Sequence, residues 1–242
     1  MKREKISVIM PMYNEKNIKR NIREVMKVMD NIEGYEYEII VVDDGSKKFD
    51  SFGEAKKIKS KRVKIVGYEK NMGKGHALKY GFSHSSGEYV VFIDSDLDLP
   101  PYQISNFIDA LNEYKVDVVI GSKRLIGAEV HYPITRRLMS WVFQMMIRIL
   151  FGLKVRDTQV GMKMFRREVL KKVFPKMLVK RYAFDVELLV NANRLKYKIK
   201  EIPVRLDYHF SSGIKKRDVI NMMIDTAAIF YRLRILKYYD RK

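Results

Sequence analysis

The chain has 242 residues, enough to bury a full core, and 47% hydrophobic with 12% aromatic content describes a globular protein. It has no cysteine and only four scattered histidines, which excludes disulfides, thiolate metal centres and a zinc-ligand spacing. Its net charge is +19, and nearly all of the excess lies in residues 121–242; a balanced first half is followed by a basic surface suited to nucleic acid, anionic lipid or a phosphorylated substrate.

In chain order, charged residues at 2–5 lead straight into an apolar run, with no signal-peptide pattern. Runs at 5–10, 37–42, 63–68, 88–93 and 116–120 are short, Val/Ile-rich and near-continuously apolar, as strands buried on both faces are. Helical patterns at 16–31, 52–60, 75–85 and 101–114 separate them. Alternating strands and helices imply an α/β fold with a doubly wound, mainly parallel sheet and a Rossmann-like N-terminal half. Ligands then bind beyond the carboxyl ends of the strands.

Each of those ends carries a polar loop. They are Pro11-Met12-Tyr13-Asn14-Glu15, Asp43-Asp44-Gly45-Ser46, Asn71-Met72-Gly73-Lys74-Gly75, Asp94-Ser95-Asp96-Leu97-Asp98 and Gly121-Ser122-Lys123-Arg124. The fourth is the most informative. Carboxylates at alternate positions repel one another and resist desolvation, and the usual relief is a hard divalent cation held through oxygen. That points to Mg²⁺ or Mn²⁺ and a nucleoside diphosphate; the plainer reading is an acidic turn ahead of a helix opened by Pro100 and Pro101. Tyr13 could stack on a base, and Asp44 could accept from a base or ribose. The glycines around Lys74 let backbone approach a phosphate at a helix N-terminus. Neither GxGxxG nor GxxxxGK[ST] is present.

The second half adds two apolar segments. Residues 138–153 are strongly apolar, broken by Arg148, flanked by Arg136, Arg137 and Lys154, and too short to span a bilayer. Residues 217–239 set Val219, Ile220, Met223, Ala227, Phe230 and Ile235 among Arg232, Arg234 and Lys237. Apolar helices with basic flanks and Trp141 suggest interfacial helices in a headgroup layer; core helices over the sheet, or a dimer interface, are the competing reading. The expectation is a monotopic, peripheral protein, with anchoring through a membrane partner an alternative. The basic half lacks an RNA-binding signature and interleaves charge with long apolar stretches, which argues against a nucleic-acid-binding module.

The order PMYNE, VVDDGS, NMGKG, FIDSDLD and GSKR resembles glycosyltransferase family 2, of GT-A fold, from about residue 6 to residue 216. Downstream, Arg156-Asp157-Thr158-Gln159 with Gly161, Lys163 and Phe165, then Phe184-Asp185-Val186-Glu187, then Glu201-Ile202-Pro203-Val204, resemble the dolichyl-phosphate hexose synthases, the glucosyl members somewhat more than the mannosyl ones. The resemblance implies inverting transfer of a hexose from a nucleotide-diphosphate sugar, UDP-glucose ahead of GDP-mannose, to dolichyl or polyprenyl phosphate at the cytoplasmic face of a membrane. A relative acting on a sugar or protein hydroxyl is the alternative. A donor site of Pro11, Tyr13, Glu15, Val42, Asp44, Asp94, Ser95 and Asp96 is implied, with Lys74 a helper at the diphosphate and Asp96 and Asp98 as metal ligands. The acceptor phosphate maps to Lys123, Arg124, Arg136, His209, Lys215 and Lys216. Lys123 stands where relatives carry Arg, and His209 where the mannosyl members carry Arg. Catalytic roles fall to Asp96, Lys123, Arg136 and Asp157, the last as base or as orienter of a cation. Residues 1–216, including an interfacial helix at 135–153, form the implied catalytic domain; 217–242 form a basic amphipathic C-terminal helix.

Overall fold

A computed structural model of the chain describes residues 3–129, 134–181, 183–207 and 216–241, the side chains of 134–139 and 216–217 excepted. Seven strands form one sheet: β1 (Glu4–Met12), β2 (Tyr35–Asp44), β3 (Val63–Tyr68), β4 (Tyr89–Phe92), β5 (Val118–Ser122), β6 (Lys163–Arg166) and β7 (Ile199–Pro203), in the order β3-β2-β1-β4-β6-β5-β7. The helices are α1 (Ile18–Asp30), α2 (Ser51–Lys56), α3 (Lys74–Ser83), α4 (Ile104–Glu113), α5 (Ile134–Phe151), α6 (Arg167–Val173), α7 (Phe184–Arg194) and α8 (Lys216–Arg234).

The first four strands are all parallel, with Pro11 beside Val42 and Met12 beside Asp43 at the carboxyl edge of β1 and β2. Successive side chains on a strand point to opposite faces, so two cores form. Val8, Met10, Ile39, Val41 and Val91 face α1 and α4, where α1 contributes Ile18, Ile22, Val25 and Met29 at helical spacing. Ile9, Ile40, Val42, Val90 and Phe92 face the other side, with Ala77 and Leu78 of α3 and much of α6 and α7.

The exception to parallel order is β6, which runs antiparallel between β4 and β5, with Met164 opposite both Val91 and Val119. Its four residues, KMFR, carry a charge at each end, so no apolar run marks it; β7, IKEIP, alternates weakly and ends in proline. The strand patterns at 5–10, 37–42, 63–68, 88–93 and 116–120 all correspond to strands.

The two apolar segments of the second half are helices with two distinct faces. In α5, Phe143, Ile147 and Phe151 are buried at intervals of four, while Trp141, Val142, Met145 and Ile149 are exposed. In α8, Thr226 and Ile229 are buried, while Ile220, Met223, Ile224 and Tyr231 are exposed. Each therefore covers the core and presents apolar surface outward. Among the described residues, no helix is long and apolar enough to cross a membrane.

Candidate active site

The carboxyl ends of β1, β2, β3, β4 and β5 bring the polar loops to one edge of the sheet. After β1, Tyr13 is half exposed and Asn14 turns the chain at φ 55°. The Asn14 N–H donates to Ser46 Oγ at 2.8 Å, and its Oδ1 accepts the N–H groups of Lys47 and Lys48 at 2.8 Å each, which stitches this loop to the one after β2. Glu15 Oε1 accepts the N–H of Asn17 at 2.8 Å, ahead of α1. Pro11 and Val42 are buried, and the Val42 side chain lies in the core beside α3.

Asp44, 4% exposed, accepts the N–H of Met72 at 2.7 Å and that of Gly73 at 2.9 Å, so its carboxylate holds the loop that opens α3. The Gly75 N–H donates to the Lys180 carbonyl at 2.9 Å. The amides of Met72, Gly73 and Gly75 are thus already occupied, and Gly75 is needed for packing: a Cβ there would fall 2.3 Å from the Phe184 ring. The group that reaches toward the acidic turn is the Lys74 ammonium, which pairs with Asp94 Oδ1. Burial disfavours that ammonium, but the carboxylates of Asp94, Asp185 and Asp96 outweigh it and hold Lys74 above its ordinary pKa.

The acidic turn itself is anchored from below. Leu97 buries its side chain at φ 56°, a backbone conformation that costs about 1–2 kcal/mol for a residue with a Cβ. Its N–H closes the turn on the Asp94 carbonyl at 3.2 Å, and Asn21 Nδ2 holds the Ser95 carbonyl at 2.8 Å. Asp94 Oδ2 lies so close to Gly161 that a Cβ there would sit 2.1 Å away, so a side chain at 161 would displace the Asp94 carboxylate. Asp96 Oδ1 accepts the N–H of Asp98 at 3.2 Å. Desolvation, then the charges of Asp94 and Asp98, push the Asp96 carboxyl up to about 7.

Among the described residues, no three His, Asp or Glu side chains form a self-contained metal cage. Asp96 and Asp98 supply hard oxygen donors on this turn, and the crowding that raises Asp96 is what a divalent cation relieves. The donor set fits a site of two protein carboxylates that water and a diphosphate would complete.

On the neighbouring strand end, Asp157 is 2% exposed. Its Oδ2 accepts the Lys123 N–H at 3.2 Å and lies 3.8 Å from the Lys123 ammonium, while Oδ1 accepts the Gln159 N–H at 3.2 Å. Arg124 Nη2 donates to Ser140 Oγ at 2.5 Å, at the start of the described face of α5. The side chains of Arg136 and Lys216, and the whole of His209 and Lys215, lie outside the described residues.

The model of the family described as glycosyl transferase family 2 matches residues 7–174. The chain belongs to glycosyltransferase family 2. It is similar to a dolichyl-phosphate beta-glucosyltransferase of Trichomonas vaginalis, 32% identical over 98% of this chain and 77% of that one, and to the dolichyl-phosphate beta-glucosyltransferase of Saccharomyces cerevisiae, 29% identical with the same coverage. The human dolichyl-phosphate beta-glucosyltransferase is 32% identical over 83% of this chain and 67% of its own length. Among solved structures, glucosyl-3-phosphoglycerate synthase of Mycobacterium tuberculosis in complex with UDP has a TM-score of 0.71 at 22% identity, covering 94% of this chain and 79% of that one. The same synthase with Mn²⁺, UDP-glucose and phosphoglyceric acid has a TM-score of 0.70 at 22% identity, with the same coverage. At that identity the likeness is one of fold, and the fold is GT-A. As a family 2 member the chain is an enzyme, a glycosyltransferase.

Several residues that organise this family 2 site were not singled out as site residues in the sequence. Lys163 on β6 is 1% exposed and pairs with Asp185 at 2.7 Å, also donating to the Val160 carbonyl. Burial pulls the Lys163 ammonium below its ordinary pKa, against the attraction of Asp185. Glu201 on β7 accepts the N–H groups of Arg156 at 2.8 Å and Asp157 at 3.0 Å and so fixes the approach of Asp157 to Lys123. Both stand inside runs that carry the family resemblance, and that membership is the signal that could have found them, since neither strand is an apolar run.

Proposed function

We propose that the chain transfers glucose from UDP-glucose to dolichyl phosphate with inversion at the anomeric carbon. The observation that carries this reading is the short segment 157–161, which has Asp157 paired to Lys123 at one end and Gly161 pressed on Asp94 at the other. A cation suited to an acceptor phosphate is thereby held a few residues from the carboxylates suited to a donor diphosphate. The relatives named as dolichyl-phosphate beta-glucosyltransferases, at 29–32% identity, support the choice of acceptor and sugar. The Mycobacterium tuberculosis synthase of the same fold, in complex with Mn²⁺ and UDP-glucose, supports the choice of donor.

In this reading Tyr13 and the Asp44 loop receive the nucleoside, and Asp96 and Asp98 hold Mg²⁺ or Mn²⁺. A bound cation would supply charge stabilisation at the departing diphosphate. Lys74 adds a fixed positive charge on the same side, pre-aimed by Asp94, at no reorganisation cost during transfer. Lys123, steered by Asp157, receives the lipid phosphate together with Arg124, Arg136 and the basic residues His209, Lys215 and Lys216. A phosphate monoester has a second pKa of roughly 6 and arrives largely ionised, so the reaction needs no strong base. Asp157 fits an orienting role, since its oxygens are spent on Lys123 and on backbone N–H groups. The exposed apolar faces of α5 and α8 rest in the headgroup layer on the cytoplasmic side and bring the polyprenyl chain to the site.

The deciding assay incubates the protein and Mn²⁺ with dolichyl phosphate and radiolabelled UDP-glucose, UDP-GlcNAc or GDP-mannose. Label from UDP-glucose should enter the organic phase as an acid-labile lipid, and EDTA should abolish it. Label appearing only in a water-soluble acceptor would replace this reading with transfer to a hydroxyl.

A further inference from the structure

Tyr239, close to the C-terminus, is wholly buried. A tyrosine buried whole must find a partner for its hydroxyl. That hydroxyl donates to Glu187 Oε1 at 2.5 Å and accepts from Arg232 Nε at 3.1 Å. Glu187, on α7, is itself fully buried, and its Oε2 accepts the N–H groups of Leu178 at 3.0 Å and Val179 at 2.8 Å. Lys176 Nζ reaches back to the carbonyls of Tyr239 at 2.9 Å and Arg241 at 2.6 Å, and Lys79 Nζ on α3 binds the Met177 carbonyl at 3.0 Å.

Segment 176–180 is therefore strapped down by the C-terminus on one side and by α3 on the other. The strap ends at the donor edge. The Lys180 carbonyl accepts the Gly75 N–H at 2.9 Å and lies where a Cβ on Gly73 would be 2.5 Å away. Between those glycines stands Lys74, paired with Asp94, and the Gly73 N–H is held from the opposite side by Asp44 at 2.9 Å. The first turn of α3 is thus fixed between the Asp44 carboxylate and the Lys180 carbonyl, and the position of that carbonyl depends on the strap.

We infer that Tyr239 and Glu187 are positioning residues for the donor site: the C-terminal segment clasps 176–180 and, through the Lys180 carbonyl, sets where Lys74 stands relative to Asp94. The inference rests on the donor-site reading above. It makes residues 217–242 part of the catalytic unit rather than an appendage to it. If Tyr239 only filled space in the buried interior, phenylalanine would serve equally at position 239. The hydroxyl has a separate role, because it is the partner of the same carboxylate that holds the strap's N–H groups.

The test uses the full chain and the Tyr239→Phe variant, which keeps the ring and removes the hydroxyl. UDP binding in the presence of Mn²⁺ is measured by calorimetry, and KM is measured separately for UDP-glucose and dolichyl phosphate. The lost hydrogen bond acts on the donor site only through the strap, so part of its worth should reach it: UDP binding should weaken and the UDP-glucose KM rise about 5- to 20-fold, with the dolichyl phosphate KM within about twofold of wild type. Unchanged UDP affinity in a folded Tyr239→Phe protein overturns the clasp, and so does an equal loss of kcat with both KM values intact, the mark of a smaller folded fraction. Should Tyr239→Phe fail to fold, Lys176→Met releases the C-terminal carbonyls without touching the core. It should raise the UDP-glucose KM about 2- to 5-fold, and no change there overturns the inference. A wild-type protein that binds neither UDP nor GDP with Mn²⁺ overturns the donor-site reading itself, and the clasp with it.

Discussion

Replacing Asp96 by asparagine should stabilise the metal-free protein while destroying its activity. The Asp96 carboxyl titrates at about 7, raised from 3.8 by desolvation and by the charges of Asp94 and Asp98. A folded pKa above the unfolded one means that the folded state holds its proton more tightly. Stability contributed by the protonated form is therefore complete at pH 4 and below, and is lost as pH rises to about 7, after which it levels. The full shift corresponds to about 4 kcal/mol. Asp96 keeps an exposed edge beside its desolvated one, and screening through that edge cuts the expected cost of ionisation to about 1–2 kcal/mol. Asparagine keeps an oxygen for the Asp98 N–H and removes the charge. In EDTA at pH 8, Asp96→Asn should therefore melt about 3–6 °C above wild type, a scale suited to a chain of this length, and the gap should shrink toward zero at pH 4.5. Adding Mn²⁺ should raise the wild-type Tm and leave the variant unmoved, with glucosyl transfer reduced about 10²-fold or more. Scanning calorimetry across pH with and without Mn²⁺ is the measurement. A variant that melts no higher than wild type at pH 8, or a gap that does not change with pH, would refute the claim that the carboxylates of this turn repel one another.

Lys74→Met should cost about 1.5–3 kcal/mol in kcat/KM for the donor, the range for losing a hydrogen bond to a charged group, and steady-state kinetics at saturating acceptor would show it. Trp141→Asp and Phe143→Asp should separate cleanly although the residues are neighbours in sequence. Trp141 is 53% exposed, so its variant should stay folded but no longer co-sediment with anionic liposomes, whereas Phe143 is 9% exposed and its variant should lose about 3 kcal/mol or more in a denaturant melt. Lys163→Met should lose about 3–5 kcal/mol by stranding Asp185, and the double variant Lys163→Met, Asp185→Leu should recover much of that; urea midpoints of the three proteins decide it.

The strands of the first half were readable because buried parallel strands need apolar side chains on both faces, and runs such as Val90-Val91-Phe92-Ile93 have no other use. The acidic turn stood out for the opposite reason: three carboxylates at a strand end repel one another, and the fold does crowd Asp94, Asp96 and Asp98 together there. The antiparallel β6 escaped because Lys163 breaks its run, and the reason a lysine can stand there is Asp185, more than twenty residues away. The apolar helices were half readable. Composition marked α5 as unusual, yet only its position on the sheet separates Phe143, which packs inward, from Trp141, which does not.

What the residues said of individual roles was weakest where a carboxylate's partner is backbone. Asp44, Glu187 and Glu201 each bind pairs of N–H groups on a distant loop, at Met72 and Gly73, at Leu178 and Val179, and at Arg156 and Asp157. An N–H is carried by every residue but proline, so such a partner leaves no residue type to recognise. For Asp44 and Glu187, which are buried, two N–H partners are nonetheless a strong constraint, because breaking the arrangement strands a charge in a medium that cannot solvate it; Glu201 is partly exposed and the constraint there is weaker. Each of the three loops held in this way leads to a charged group of the proposed site: Asp44 holds the loop before Lys74, Glu187 the strap that reaches Gly75, and Glu201 the turn that presents Asp157 to Lys123. The ammoniums of Lys74 and Lys123 are thus held twice over, directly by Asp94 and Asp157 and, through the backbone that carries them, by carboxylates that touch neither, and the second hold becomes visible only once the chain is folded.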